Sequence, residues 1–289
     1  MKISIVYEFT NPDLWSTPNS IAREFKSRGY EVDSVHLEDE QKLIQGEYDI
    51  VMVMDWRGID LSHETKRILK SRGTYLIREA GDTPQNYDKH IPCLDVYDLI
   101  LTPDYESYLD YQLLGYNCMH WPHFADSTIH KVYPVKDNLP AKVRSTRGPN
   151  GSWFLDRLTE VMGPDKFLNK NNLYGEDYGR FLSCAKITVQ HSRFGEVTRR
   201  LFEAACCGSM ILTDRLHKDT RADQIFTEGK NIVYYNSLPE CISLINYYIS
   251  PEGEEERFII ASAGRHLVST NHTQKQRVDD ILAEYFKEL

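Results

Sequence analysis

The chain has 289 residues, 41% hydrophobic and 27% charged, with 34 basic against 43 acidic side chains and a formal net charge of −9. That length suits about two domains with a sizeable core, and the acidic balance excludes a wholly electrostatic nucleic-acid binder while leaving room for a local basic cleft. The six cysteines show no C-x-x-C spacing, so they read as buried free thiols of a reducing compartment and not as a zinc or redox motif.

The opening "KISIVYEF" turns polar after a few apolar positions and reads as a first strand, not a signal peptide. Residues 16–28 follow as a helix, with Ile21, Ala22 and Phe25 on its inner stripe and Gly29 as its stop. "YEVDSVHLE" is a second strand. "YDIVMVMD", residues 48–55, is almost uninterruptedly apolar, as a strand is when helices cover both faces of its sheet. A helix over 62–72 ending at Gly73, strands at "TYLIRE" and "DVYDLILTP", and the helix-like "YESYLDYQLLG" continue the alternation.

Pro122, Pro134 and Pro140 break this rhythm and put a domain boundary near residue 135. Beyond it come strand "AKVRST", helix "GSWFLDRLTEVMG", strand "DKFLN", a short helix "YGEDYGRFLSC", strand "AKITVQ", helix "EVTRRLFEAACC", strands "SMILTD" and "NIVYY", and helix "LPECISLINYYI". A charged helix from about residue 273 closes the chain. The expected class is α/β, with Rossmann-like domains at 1–135 and 136–272 and a cleft at the C-terminal ends of their strands. No apolar run approaches the roughly 20 residues of a membrane helix, and a cytoplasmic location is the default expectation.

Strand ends are where such sheets hold ligands. In the first domain Glu8, Asp55 with Arg57, and Glu79 with Asp82 follow the first, third and fourth strands. A carboxylate there either takes the proton of an acceptor hydroxyl or caps a helix or turn. Asp82, in the glycine-bearing loop after "REAG", is preferred as the base over Glu79 and Asp55. In the second domain, helical spacing aligns Glu196, Arg199 or Arg200, and Glu203 on one face. These are either solvated ion pairs or a clamp in which Arg200 meets an anion and Glu203 accepts from a sugar diol. The preceding loop, with His191, Ser192, Arg193 and Gly195, would offer backbone N–H groups to a phosphate.

Arg144 and Arg147, beside Gly148 and Gly151, are either diphosphate ligands or surface arginines of a linker. The order of a Walker loop is absent, and no G-x-G-x-x-G opens the first strand. His120, His123 and Asp126 in "HWPHFAD" raise the question of a metal site, but the intervening Trp-Pro favours a structural bend.

From "LYGEDYGRFLSC" to "LINYYI" and a little beyond, about residues 173–272, the sequence resembles the C-terminal half of group 1-like GT-B glycosyltransferases, specifically the spore-protein-like group. The matching residues are Arg200, Phe202, Glu203, Ala204 and Gly208. The resemblance implies two facing Rossmann-like domains and a nucleotide-sugar donor, such as a UDP- or GDP-sugar, held by the second. It puts Glu203 on the ribose, Arg200 and the 191–195 loop near the diphosphate or donor sugar, and the acceptor in the first domain. No obligatory metal or further cofactor is implied. The final helix, residues 273–289, would cross back onto the first domain. Many relatives carry two glutamates separated by seven residues; here Gly195 stands at the first position and Glu196 is one place out of register.

The expected function is therefore transfer of a sugar from a nucleotide-sugar to an acceptor hydroxyl. The net charge suits a small-molecule, glycan or protein acceptor, while "KVRSTRG" and "RLHKDTR" keep modified bases in phage-like DNA as an alternative acceptor. A non-catalytic nucleotide- or sugar-binding module, and a phosphorylase or epimerase, are the competing classes.

Overall fold

Two parallel sheets organise the chain. The computed structural model describes residues 1–8, 16–55, 57–83, 85–134, 143–146 and 153–288. It divides into unit 1, Met1–Pro122 with Gln274–Leu289, and unit 2, His123–Thr273. The boundary position expected near residue 135 lies outside the described residues. The division falls at Pro122 and His123, because the segment that follows is pinned within unit 2: Ala125 N–H donates to the His272 carbonyl (3.0 Å) and Cys206 Sγ to that of His130 (2.8 Å).

In unit 1, β1 (Lys2–Tyr7), α1 (Thr17–Ser27), β2 (Glu31–His36), α2 (Glu40–Gln45), β3 (Ile50–Met54), α3 (His63–Ser71), β4 (Tyr75–Glu79), α4 (Tyr87–His90), β5 (Leu99–Thr102), α5 (Tyr105–Leu113) and β6 (Cys118–His120) follow in turn. The strands pair in parallel in the order β2-β1-β3-β4-β5-β6. Every residue of β3 is buried, as its apolar run requires when both faces are covered. Ser16 caps α1 by accepting from Asn19 N–H (3.2 Å), and Ile21 and Phe25 turn inward. The edge strand β6 lies where the sequence suggests only irregular chain, since three residues carry no readable period.

Unit 2 holds β7 (Val143–Thr146), α6 (Trp153–Met162), β8 (Phe167–Lys170), α7 (Gly175–Ser183), β9 (Ile187–Gln190), α8 (Arg199–Cys206), β10 (Met210–Asp214), β11 (Val233–Tyr235), α9 (Leu238–Ile249) and α10 (Glu254–Asn271). Its sheet is parallel in the order β11-β10-β9-β7-β8. Alternation along β10 serves both faces: Met210 and Leu212 pack with Phe154 and Leu158 of α6 and Ile245 of α9, whereas Ile211 packs with Phe181 of α7 and Phe202 of α8. Each such side chain, fully buried, contributes about 1.5–3 kcal/mol. α10 is 18 residues long and was not anticipated, because Phe258 and Ile259 on its exposed side blur its apolar stripe. At Gly264 a Cβ would stand 2.9 Å from the Asn231 carbonyl oxygen and 3.8 Å from the Ala205 Cβ of α8.

The last helix, α11 (Gln274–Lys287), belongs to unit 1. Arg28 at the end of α1 pairs with Asp279 (2.5 Å), Tyr285 meets Tyr75 edge-on with centroids 5.4 Å apart, and Trp121 Nε1 donates to the Arg277 carbonyl (3.3 Å).

Candidate functional site

Each sheet reverses its strand order once, between β1 and β3 in unit 1 and between β7 and β9 in unit 2. Helices diverge to opposite faces at such a point and leave a crevice beyond the C-terminal strand ends.

In unit 2 the loop after β9 is folded by side chains. His191 stacks on Phe154, with centroids 4.3 Å apart and 7° between planes. Its Nδ1 lies 3.2 Å from the Tyr235 hydroxyl, which donates to the Gln190 carbonyl at 2.6 Å. Ser192 N–H donates to Asp214 at the end of β10 (2.7 Å), and the Ser192 hydroxyl binds the same carboxylate. Gly195 N–H donates to Ser192 Oγ (3.0 Å), while Glu196 accepts from the N–H groups of Arg193 (3.2 Å) and Phe194 (2.6 Å). The expectation of free backbone donors here is thus corrected: those of residues 192–195 are all taken by nearby side chains, as unpaired donors ahead of a helix demand. Gly195 has φ 75°, and a Cβ there would stand 3.1 Å from His217 N, so the relatives' glutamate does not fit this position without displacing the neighbouring chain.

α8 begins at Arg199, with Thr198 extended as its N-cap (φ −102°, ψ 156°). Glu196 therefore lies in the loop, and the shared helix face expected for Glu196 and Glu203 does not exist. Glu203 is buried, 2% exposed: one oxygen accepts from the Tyr178 hydroxyl (2.8 Å), and the other pairs with Arg199 Nε (3.1 Å). It is not a solvated surface charge: each oxygen has one partner, and a carboxylate with about four acceptor sites keeps room to accept more. Arg200 is half-buried and, among the described residues, has no hydrogen-bond or ion-pair partner. Gln190 Nε2 donates to Thr198 Oγ1 (2.5 Å), and α8 has no side-chain cap.

Arg144 is fully buried on β7, where Nη1 donates to the Phe181 carbonyl (2.8 Å) near the end of α7 and the guanidinium lies 5.1 Å over the Phe181 ring. Its expected diphosphate role is corrected, because this arginine serves a helix C-terminus from inside the fold. Arg147 lies outside the described residues.

In unit 1, Arg57 joins Glu8 (2.6 Å) to Asp55 (2.8 Å). Asp55 is 2% exposed and also accepts from the N–H groups of Arg57 (2.8 Å) and Ile59 (3.3 Å). It is a turn cap and ion-pair partner, which corrects its candidacy as a base. Beneath the turn, fully buried Arg78 donates to the carbonyls of Asp55 (3.0 Å) and Ile59 (2.9 Å), and Lys66 pairs with Asp60 (2.6 Å). Burial and the neighbouring Asp60 charge push the Tyr97 hydroxyl, which donates to Asp60, well above its ordinary pKa. Glu79 is half-buried at the end of β4. Asp82 is exposed beyond it with φ 51°, a conformation that favours glycine. His120 lies edge-on to Tyr105 with centroids 5.2 Å apart. In unit 2, buried Asp126 accepts from Thr128 N–H (3.0 Å). Among the described residues no three His, Cys, Asp or Glu side chains group to hold a metal ion, and no helix is long and apolar enough to cross a membrane.

Residues 144–283 match the family model described as Glycosyl transferase-like. This stretch is similar to a glycosyltransferase-like domain. Among solved structures, HepE of Anabaena, crystallised with UDP and glucose, is similar over 100% of both chains, with a TM-score of 0.72 and 13% identity. Sucrose-phosphate synthase of Thermosynechococcus elongatus is similar over 99% of this chain and 98% of its own, with a TM-score of 0.72 and 9% identity. A putative UDP-N-acetylglucosamine 2-epimerase of Listeria monocytogenes covers 100% and 97%, with a TM-score of 0.61 and 13% identity. No curated protein sequence matches the chain. The fold is GT-B, and the stretch that matches the family model contains Arg200, Glu203 and the 191–196 loop. Helical spacing offered the pairing of Arg199 with Glu203 as one of two readings, whereas sequence reasoning missed Asp214 and Tyr178 in this domain; of these, only Asp214, at a strand end, carried a readable signal.

Proposed function

We propose that the protein is a nucleotide-sugar-dependent glycosyltransferase of the spore-protein-like group, moving a sugar from a nucleoside diphosphate to an acceptor hydroxyl. The observation that carries this reading is the match of residues 144–283 to the Glycosyl transferase-like family. The donor is a UDP- or GDP-sugar, and the UDP-glucose bound by HepE supports the first of these.

In this reading Arg200 and the uncapped first turn of α8 meet the negative charge that grows on the diphosphate as the glycosidic bond breaks, without a metal. Asp82 is the general base, since it is exposed, whereas Asp55 is committed to Arg57 and Glu79 is half-buried. The acceptor is a small molecule, glycan or protein. Glu8, Asp55 and Asp104 follow β1, β3 and β5, and Glu79 ends β4 between the last two, so carboxylates gather at four adjoining strand ends of unit 1, which disfavours a polyanion such as DNA.

The test is incubation with UDP-, GDP-, CMP- and TDP-sugars and a panel of acceptors, following nucleotide release and sugar transfer. Turnover of at least one donor is expected. Tight nucleotide binding with no turnover of any donor would instead identify a binding module.

A further inference from the structure

Among the described residues, Asp82, Asn172 and Arg221 are the non-glycine residues with a left-handed backbone, and Asp82 has φ 51°. Glycine adopts that conformation freely and stands beside it at Gly81, yet the left-handed position holds an aspartate. A side chain kept where it is conformationally costly, beyond the end of a sheet strand, calls for a reason other than the turn itself. Asp82 is exposed, whereas Gly81 and Thr83 on either side of it are buried.

Both buried neighbours are pinned by their surroundings. His90, fully buried at the end of α4, reaches the Gly81 carbonyl through Nε2 at 3.0 Å. A carbonyl only accepts, so Nε2 carries the ring proton. Nδ1 lies 3.5 Å from Arg78 Nη2, and because a guanidinium only donates, Nδ1 turns its lone pair toward it. Arg78 is in turn anchored by the carbonyls of Asp55 and Ile59, so buried contacts run from the turn after β3 to the peptide that leads into Asp82. Beyond Asp82, Thr83 Oγ1 donates to Asp104 Oδ2 at 2.6 Å, at the N-cap of α5. Asn86 N–H closes the turn on the Asp82 carbonyl at 3.2 Å. These bonds hold the backbone before, at and after Asp82, and with it the direction in which the carboxylate leaves the chain.

We propose that His90 and Thr83 are positioning residues, which hold the left-handed backbone of Asp82 so that its carboxylate stands ready for an acceptor hydroxyl; the inference rests on the reading of Asp82 as the general base. A base works only within about 2.6–3.2 Å of the proton it takes, and a misplacement of about 1 Å can cost about 100-fold in rate. His90 and Thr83 act through the Gly81 and Thr83 peptides and touch no substrate themselves.

The experiment uses the full-length protein with the nucleotide-sugar, among the UDP-, GDP-, CMP- and TDP-sugars, and the acceptor that it turns over. It measures kcat, donor KM and melting temperature for the wild type, Asp82→Asn, His90→Gln, His90→Phe and Thr83→Val, and for the last two in the Asp82→Asn background. Asp82→Asn suits the same turn and is expected to lower kcat about 100-fold or more at an unchanged melting temperature. His90→Phe and Thr83→Val are expected to lower kcat about 10- to 100-fold with donor KM unchanged. His90→Gln, whose amide can donate to Gly81 and accept from Arg78, is expected to restore most of that loss. In the Asp82→Asn background neither substitution should lower kcat further, because the carboxylate they place is gone. Thr83→Val carries the test where His90→Phe does not fold. A folded single variant with full kcat, or with the same loss in the Asp82→Asn background, overturns the role of that residue and leaves the base reading standing. Near-wild-type kcat in Asp82→Asn overturns the base reading and this inference with it, as does the absence of any turnover by the wild type.

Discussion

Arg199 and Glu203, one helical turn apart on α8, form a 3.1 Å ion pair within unit 2, and the second carboxylate oxygen holds the Tyr178 hydroxyl of α7 at 2.8 Å. The carboxylate thus ties α8 to α7 from a buried position. Its removal in Glu203→Ala leaves a buried hydroxyl without its acceptor and is expected to cost about 1–3 kcal/mol of stability. Glu203→Gln, which can still accept from Tyr178, is expected to cost less. Denaturant midpoints of the two variants check this, and an unshifted midpoint in Glu203→Ala would return Glu203 to a surface role.

Among the described residues Arg200 has no partner to lose, so Arg200→Ala is expected to leave the unfolding midpoint in place. Turnover should fall roughly 10- to 100-fold with a smaller change in donor affinity, because charge on the departing diphosphate is greatest in the transition state. Steady-state kinetics beside nucleotide titration separate the two effects. Retention of wild-type activity in excess chelator is the matching expectation for charge neutralisation by arginine; activity abolished by chelator and restored by a divalent cation would contradict it.

Gly195 combines φ 75° with a neighbour 3.1 Å from its missing Cβ. Gly195→Ala is therefore expected to destabilise unit 2 by about 1–3 kcal/mol. Faster amide exchange at residues 192–195 should accompany the loss, since the bonds to Asp214, Ser192 and Glu196 depend on that turn. Wild-type exchange in the variant would show that the loop tolerates the side chain.

Burial pushes the His120 imidazole below its usual 6.5; the Pro103 carbonyl opposes that shift and the Arg277 charge adds to it. The unfolded chain consequently takes up this proton first as pH falls. The stability gained from a neutral His120 is complete above about pH 6.5 and drains away as pH drops toward the folded-state pKa. His120→Gln should remove that component. The wild type is expected to lose more stability than the variant between about pH 7 and pH 5, as read from paired denaturation curves.

Much of the fold was legible because its signals are local. The apolar run of β3, the Ser16 cap and the strand–helix alternation each report on a few neighbouring residues. The start of α8 was misread because Val197 and Leu201 keep a helical period across residues that are not helical; the bonds from Glu196 to Arg193 and Phe194 decide the boundary. Arg144 was misread for the opposite reason, since its partner, Phe181, is 37 residues away and no spacing rule reaches it. Arg200 was singled out by its motif, yet its lack of a partner among the described residues is a fact of three dimensions. His90 carried no signal, for a buried imidazole differs from an exposed one only in what surrounds it.

The return of α11 to unit 1 sets an order on how the chain can mature. Ribosomes release residues from the amino end, so the sheet that starts the sequence waits for Tyr285 and Asp279 before Tyr75 and Arg28 meet their partners. Unit 2, closed by Thr273, has all its residues earlier. The half synthesised second can finish first, while the half synthesised first stays unfinished until α11 has been made.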